Sequence, residues 1–285
     1  MKNPSKGSAI RNTVAPRKAP PTPRAAAGGD GLKSLSKVVR VLECFSATDR
    51  ALPLIEICRR AGLPKSSGHR VLAAMRAAGL LDQDQERERY RLGLRLFEFG
   101  NIALANMDIH REARPHVDAL TRLARQTVHL AVFDGWHAVV IRRAEPHPEG
   151  TPITFLEAAP VHCTGVGKAI LAFQPAPVIA RILAAPLERF TEATITEPAR
   201  LRANLAGIRA AGFAVDEGEH QPGLRCVAAP IRDGIGRVVA GISLSGPGWK
   251  LPATEIEAAS RLVRHSARTI STALGYRPDT LPQEP

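Results

Sequence analysis

Ala61-Gly62-Leu63-Pro64-Lys65-Ser66-Ser67-Gly68-His69-Arg70-Val71-Leu72 holds a helix stop, a turn and a helix start within twelve residues. Gly62 suits the left-handed conformation that closes a helix, and Pro64 suits a first helical position, where its missing N–H costs nothing. Upstream, Leu54, Ile57, Cys58 and Ala61 recur at the spacing of one helical face, although Pro53, Leu54 and Ile55 offer no side-chain acceptor to cap its start. Downstream, the pattern predicts a helix to about Ala78, closed by Gly79. An earlier helix is expected from Ser34 as N-cap, through Leu35, Val38, Val39, Leu42 and Phe45, to near Ala47. Two helices joined by a three-residue turn, behind a first helix, make a helix-turn-helix.

The helix after the turn has two stripes. Ser66, His69, Arg70, Ala73 and Arg76 form a polar, basic one, while Val71, Leu72, Met75 and Ala78 face a core. Lys65, Ser66 and Ser67 sit in its first turn, where free amides and the helix dipole favour phosphate. Gly68 costs roughly 1 kcal/mol against Ala in a helix interior, so close packing against the preceding helix is expected to compensate. Strand-like stretches at Leu80 to Asp82 and Arg89 to Leu92 flank the charged run Asp84 to Glu88, which reads as a winged hairpin presenting Arg87 and Arg89 to phosphates. The net charge of +12 follows the same division. Residues 1–30 carry six basic and one acidic residue, residues 31–100 thirteen and eight, and residues 101–285 twenty and eighteen. A polyanion such as double-stranded DNA is therefore the natural partner of the first hundred residues.

The organisation works outward from there. Residues 1–31, rich in Pro, Gly and Ala, cannot build a core and are expected to form a disordered basic arm. The acid-poor, Arg-containing composition also fits a mitochondrial transit peptide, but prolines interrupt the helix such a peptide needs. Residues 32–92 are assigned to the winged domain. Residues 93–108 are read as a linker helix apolar on more than one face, suited to burial on two sides and to meeting a partner chain. The remainder, 109–277 with a tail at 278–285, reads as an α+β domain with an antiparallel sheet. Asp134-Gly135 and Asp233-Gly234-Ile235-Gly236 mark hairpins, strands are expected at Phe213 to Val215, Arg225 to Pro230 and Val238 to Leu244, and a last helix at about Thr254 to Leu274. No run approaches the ~18 apolar residues of a membrane span, and the first 30 residues hold no secretory apolar core, so a cytoplasmic protein without a membrane partner is expected. Cys44, Cys58, Cys163 and Cys226 show no disulfide, zinc or redox spacing.

Leu32 to Glu43, with Ala61 to Ser67 and His69-Arg70-Val71-Leu72, resembles the winged helix-turn-helix of IclR-type transcriptional regulators. Three distant stretches extend the resemblance over about Leu32 to Tyr276: His162-Cys163-Thr164-Gly165-Val166-Gly167-Lys168-Ala169, Val215 to Ile231, and Ile242-Ser243-Leu244-Ser245-Gly246-Pro247. Gly68 departs from the family's usual residue with a β-carbon, as does the Pro/Ala-rich arm. The resemblance implies a small-molecule-responsive DNA-binding regulator, a dimer or dimer of dimers, with a GAF-like effector domain and no cofactor. It places Gly165, Val166, Gly167, Asp216, Cys226, Ser243 and Ser245 around an effector pocket, with Ile153 and Phe155 added here as an apolar wall. The residues agree independently. Ser243 and Ser245, two apart on a strand, share one face. Amides of Gly165, Val166 and Gly167 at a helix start can hold the carboxylate of a small organic acid. Taken singly, Ser243 is better explained as a strand hydroxyl, Cys226 as a small core residue and Asp216 as a turn acceptor; taken together, the set favours the pocket.

Other functions fit less well. Gly165-Val166-Gly167-Lys168-Ala169 lacks the upstream Gly and the Ser/Thr of a P-loop. Cys226, His220 and Asp216 supply the residue types of a nucleophilic enzyme without evidence of geometry, and Gly241 to Ser245 fails the nucleophile elbow. His162, Cys163, His220 and Cys226 have zinc-ligand chemistry but no common zinc spacing. A ligand-independent architectural DNA binder would leave the near-neutral second domain without a role.

Overall fold

The computed structural model describes residues 30–46, 48–84, 88–146 and 158–277, with side chains from residue 34 onward. The arm but for its last residues, the tail, Arg87, Ile153 and Phe155 lie outside the described residues. The chain divides into two compact units, Met1–Ile102 and Ala103–Pro285.

In the first unit, α1 (Asp30–Leu42), α2 (Leu54–Ala61) and α3 (Lys65–Ala77) pack against a sheet of β1 (Leu52–Pro53), β2 (Leu81–Asp84) and β3 (Arg89–Leu92). Ser34 is not the N-cap of α1, which begins four residues earlier, and the helix stops at Leu42 rather than near Ala47. It stops because the next residues bend: Cys44 and Phe45 donate to carbonyls only three residues back, and the Ser46 hydroxyl accepts the Asp49 amide. The start of α2 has no side-chain cap, and Gly62, at φ 60°, closes it with the Leu63 amide donating to Cys58 O. The wing has a third strand that sequence reading missed, because Leu52-Pro53 is too short to alternate; it pairs antiparallel with β3. Val41, Ile57, Leu63, Leu72, Met75, Leu81 and Tyr90 form the core. Gly68 sits inside it. A β-carbon there would lie 2.2 Å from Cys58 Sγ, which is the close packing of α3 on α2 that its presence required.

Helix α4 (Leu94–Ala105) carries no buried residue. The expected burial on two sides is not met among the described residues: Leu94, Phe97, Phe99 and Ile102 are all exposed.

The second unit is a six-stranded antiparallel sheet in the order β6 (Ala158–Pro160), β5 (His137–Ala144), β4 (Thr127–Phe133), β9 (Val238–Pro247), β8 (Leu224–Arg232) and β7 (Ala214–Glu217). Helices α5 (Asp108–Ala124) and α9 (Ile256–Ala273) cover one face through Val117, Leu120, Val263 and Ile270. Helices α6 (Gly165–Leu171), α7 (Ala176–Ala184) and α8 (Pro198–Ala211) cover the other through Val166, Ile170, Ile182 and Leu205. The two hairpins form as their turn residues dictate. Gly135 takes φ 100° while Asp134 Oδ1 accepts the amides of Trp136 and His137, and Asp233 Oδ1 accepts those of Ile235 and Arg237. The fold is α+β, with antiparallel strands sandwiched between helical layers.

Candidate functional site

Two surfaces carry the chemistry. On α3, Lys65, Ser66, His69, Arg70 and Arg76 are exposed and Ser67 is half-buried, while Gly68, Leu72 and Met75 are buried, so the predicted stripes lie where periodicity placed them. Arg76 is held toward the wing, its guanidinium donating to Gln83 Oε1 at 2.5 Å. Across the wing, Arg91 pairs with Asp82, and exposed Arg89 stands opposite Asp84 in the β2–β3 register. The helix therefore offers a continuous basic face rising from its N-terminal turn, with the wing alongside.

The second surface is built by strand register on the face that α6 covers. One row across the sheet reads Asp216, Cys226, Ser245 and Thr127 on β7, β8, β9 and β4. The next reads Ala214, Ala228, Ser243, His129 and Arg143 on the same strands and β5. A third, Gly241 and Ala131 with Val140, is apolar, and α6 lies on it: a β-carbon at Gly241 would be 3.0 Å from Val166 Cγ2 and 3.2 Å from Ile170 Cγ1. A bulge between Leu130 and Ala131 leaves Ile141 as an extra residue on β5. It turns both Ile141 and Arg142 toward α5, where Arg142 pairs with Asp118, and so returns Arg143 and Val140 to the α6 face.

Within the polar rows the partners are specific. Cys226 Sγ and Ser245 Oγ are 3.0 Å apart. Ser243 is 2% exposed, and among the described residues its hydroxyl has no hydrogen-bond partner. Asp216, 1% exposed, accepts the Glu219 amide at 2.8 Å. Burial pushes its carboxyl up to about 7, with the neighbouring Glu219 carboxylate adding to the rise and the Glu219 amide opposing it. The turn-acceptor contact and a place in the polar row thus coincide in one residue. Cys226 and Cys163 are held as thiols, since burial pushes both far above the usual range. His129 is half-buried, and desolvation together with the Arg143 charge drives it down to about 4, so it is neutral near pH 7. Arg143 pairs with Glu145 through one terminal nitrogen while its buried Nε has no partner among the described residues.

The helix start differs from expectation in one respect. Thr164 caps α6, its Oγ1 accepting the Gly167 amide at 3.2 Å, so that amide is not available to a ligand and only those of Gly165 and Val166 are. Gly165 and Gly167 are glycine for packing. Added β-carbons would lie 2.9 Å from Cys226 Cβ and 2.6 Å from Val161 Cα respectively. Lys168 is a buried strut: it pairs with Glu219 and donates to Val215 O at 2.7 Å, tying α6 to the β7–β8 connection. Thr191 and Thr194 hold the same connection by donating to the carbonyls of Gly218 and Glu219. His162 and His220 flank the Phe190 ring, whereas Cys226 bonds to Ser245. Among the described residues no group of three or more His, Cys, Asp or Glu is arranged to hold a metal ion.

Sequence reasoning missed His129, Arg143 and Thr127. The signal was available in the alternation Thr127-Val128-His129-Leu130, which puts Thr127 and His129 on one face; the Arg143 position needed the bulge.

A basic helix with a wing in one unit, and in the other a buried polar strip on an otherwise apolar sheet face, define a DNA-binding regulator with an effector-binding domain. The model of the IclR helix-turn-helix domain matches residues 34–85, and that of the bacterial transcriptional regulator IclR C-terminal region matches residues 101–272. The chain belongs to the IclR family of transcriptional regulators. It is 33% identical over 271 residues to the HTH-type transcriptional regulator BhcR of Paracoccus denitrificans, covering 90% of this chain and 95% of that protein. It is 32% identical to the HTH-type transcriptional repressor AllR of Klebsiella pneumoniae, covering 87% and 92%. An IclR homolog of Microbacterium hydrocarbonoxydans, crystallised in complex with 4-hydroxybenzoate, superposes with a TM-score of 0.72 at 31% identity, over 85% of this chain and 98% of that one. The matched families and relatives are transcriptional regulators, not enzymes. Among the described residues no helix is long and apolar enough to cross a membrane.

Proposed function

We propose that the protein is a repressor that binds an operator as a dimer or dimer of dimers and is controlled by a small organic acid seated over the two polar rows. The observation that carries the ligand reading is Ser243, a residue 2% exposed whose hydroxyl has no hydrogen-bond partner among the described residues, lying in register with His129 beside a row that is apolar. The Gly165 and Val166 amides and the Ser243 and Ser245 hydroxyls donate to a carboxylate. Half-protonated Asp216 meets a hydroxyl or keto group, which favours a hydroxy or keto acid over a fatty acid. Arg143 and neutral His129 accommodate a second polar end. The 4-hydroxybenzoate complex of the Microbacterium homolog supports an acid of this size. On the first unit, Lys65, Ser66, Ser67, His69, Arg70, Arg76 and Arg89 are assigned to DNA, Arg70 to base edges and Lys65 and Arg89 to phosphates. Arg87 keeps that assignment from sequence alone. The exposed Leu94, Phe97, Phe99 and Ile102 of α4 favour a second copy as their cover.

A thermal-shift screen of wild type and Ser243→Ala with small hydroxy, keto and aromatic acids tests the pocket, because binding to the native state raises its stability by mass action. An acid that stabilises the wild type is expected to lose roughly 10- to 100-fold in affinity in the variant, the value of one hydrogen bond to a charged group. Equal affinities for every stabilising acid would remove Ser243 from the site.

A further inference from the structure

Within the second unit, where the C-terminal end of α8, strand β8 and helix α9 meet, lies a cleft of about 270 Å³. Arg209, Arg232, Arg264 and Arg268 converge on it, and among the described residues no Asp or Glu lines it. Two of the four are fixed from behind. Arg209 donates Nε to Ala172 O, and Arg232 donates a terminal nitrogen to Gly236 O at 2.8 Å. The Arg232 guanidinium also lies 5.0 Å from the Phe173 ring and 5.8 Å from that of Tyr276. Each anchored guanidinium has five N–H donors and spends only one here. Arg264 and Arg268 have neither an ion pair nor a side-chain hydrogen bond among the described residues. Gly212, left-handed at φ 75° where α8 ends, lies against the Arg264 guanidinium.

Four cations gathered with no counter-charge among the described residues repel one another, and a multiply charged anion offsets that repulsion. We propose that this cleft is a second ligand site, for a small phosphorylated organic anion. A phosphomonoester carries close to two negative charges near pH 7 and three acceptor oxygens, which fit forked guanidinium donors; a monocarboxylate would leave most of the charge unmatched. The volume lies at the lower edge of small-molecule pockets, which sets the ligand's size. Apart from Ser271, whose hydroxyl accepts the Arg232 amide, the remaining wall of Ala229, Pro230, Ala267, Phe173 and Tyr276 is apolar and takes a short carbon portion. A duplex backbone is the poorer fit, since a concave cleft of this size receives one terminal phosphate.

The test is calorimetric titration of the full chain with inorganic phosphate and with phenyl phosphate at constant ionic strength, sodium chloride serving as the blank. It is run in wild type, Ser243→Ala, Arg264→Gln/Arg268→Gln and Lys65→Ala/Arg70→Ala proteins. One phenyl phosphate per chain is expected, bound more tightly than inorganic phosphate and equally in wild type, Ser243→Ala and Lys65→Ala/Arg70→Ala. The Arg264→Gln/Arg268→Gln protein, whose changes are confined to exposed side chains, is expected to melt no lower than wild type, because two mutually repelling charges are gone, to keep its operator affinity and to bind phenyl phosphate at least tenfold more weakly. Absence of heat above the blank, unchanged affinity in Arg264→Gln/Arg268→Gln, or loss in Lys65→Ala/Arg70→Ala would overturn the site. Weakened operator binding by Arg264→Gln/Arg268→Gln without added phosphate would reassign the arginines to DNA. Loss confined to Ser243→Ala would move the phosphate to the other pocket.

Discussion

Replacing Gly68 by Ala probes the contact that sets α3 against α2. The new β-carbon would stand 2.2 Å from Cys58 Sγ, 3.7 Å from Cys58 Cβ and 3.9 Å from Leu54 Cδ1. Non-bonded heavy atoms settle at about 3.5 Å or more, so the sulfur must move by more than an ångström. Cys58 has only χ1 for that movement, and in a helix one of the three wells is closed by the preceding turn. Overpacking of this kind costs about 1–3 kcal/mol. Against it stands a gain of about 1 kcal/mol from putting alanine in place of glycine in a helix interior. The net destabilisation, about 1 kcal/mol, lowers the melting of a unit of this size by about 4–8 °C. Scanning calorimetry of the full chain, following the transition of the first unit, measures it. In a Cys58→Ala background the obstruction is gone and Gly68→Ala should instead stabilise by about 1 kcal/mol, a coupling of about 2 kcal/mol between adjacent sites. Stabilisation by Gly68→Ala in the wild type, or an equal effect in the two backgrounds, would refute the packing account.

Arg70→Ala should lose roughly 1–3 kcal/mol of discrimination between operator and random duplex, read by competition binding. Lys65→Ala should weaken both duplexes alike and flatten the salt dependence by about one counterion. Asp216 gives a pH dependence with a definite sign. Its carboxyl ionises near 7 when folded and near 4 when unfolded, so its charge penalises the folded state increasingly as pH rises between those values and uniformly above them. Wild type should therefore lose stability relative to Asp216→Asn from pH 4 to 7 and then run parallel to it. For the same reason the affinity for an anionic effector should fall from pH 6 to pH 8 in wild type and stay level in Asp216→Asn. Phe97→Glu with Ile102→Glu, on the exposed face of α4, should shift sedimentation toward monomer, and an unchanged profile would assign that face to something other than a second copy.

Much of this arrangement was legible in the sequence because it rests on local rules. Gly62, Pro64 and the apolar spacing between Leu54 and Met75 are helix punctuation and periodicity, and they located both the turn and the exposed stripe of α3. Asp134-Gly135 and Asp233 to Gly236 fixed the hairpins in the same way. What escaped depends on pairing between distant residues. Leu52-Pro53 becomes a strand only because β3 lies beside it. His129 and Arg143 join the site through register and a bulge that no single segment reveals. Thr164 takes the Gly167 amide, and Lys168 crosses the core to Glu219, both facts of three-dimensional placement. The end of α1 was misjudged because Phe45 keeps the apolar spacing after the backbone has already turned, in hydrogen bonds among Ser46, Thr48 and Asp49.

The central claim is that ligand on the second unit governs DNA binding by the first. The direct measurement uses the duplex that the full-length protein selects from a random pool and follows its affinity by anisotropy across a titration with the best acid from the thermal-shift screen, in wild type and Ser243→Ala. The two proteins should bind the duplex equally without acid, and wild-type affinity should fall by about 1–3 kcal/mol of coupling at saturation. The Ser243→Ala midpoint should shift to roughly 10- to 100-fold more acid. Reciprocity requires the duplex to weaken acid binding by the same factor. A wild-type affinity for the duplex that does not change across the titration would contradict the account.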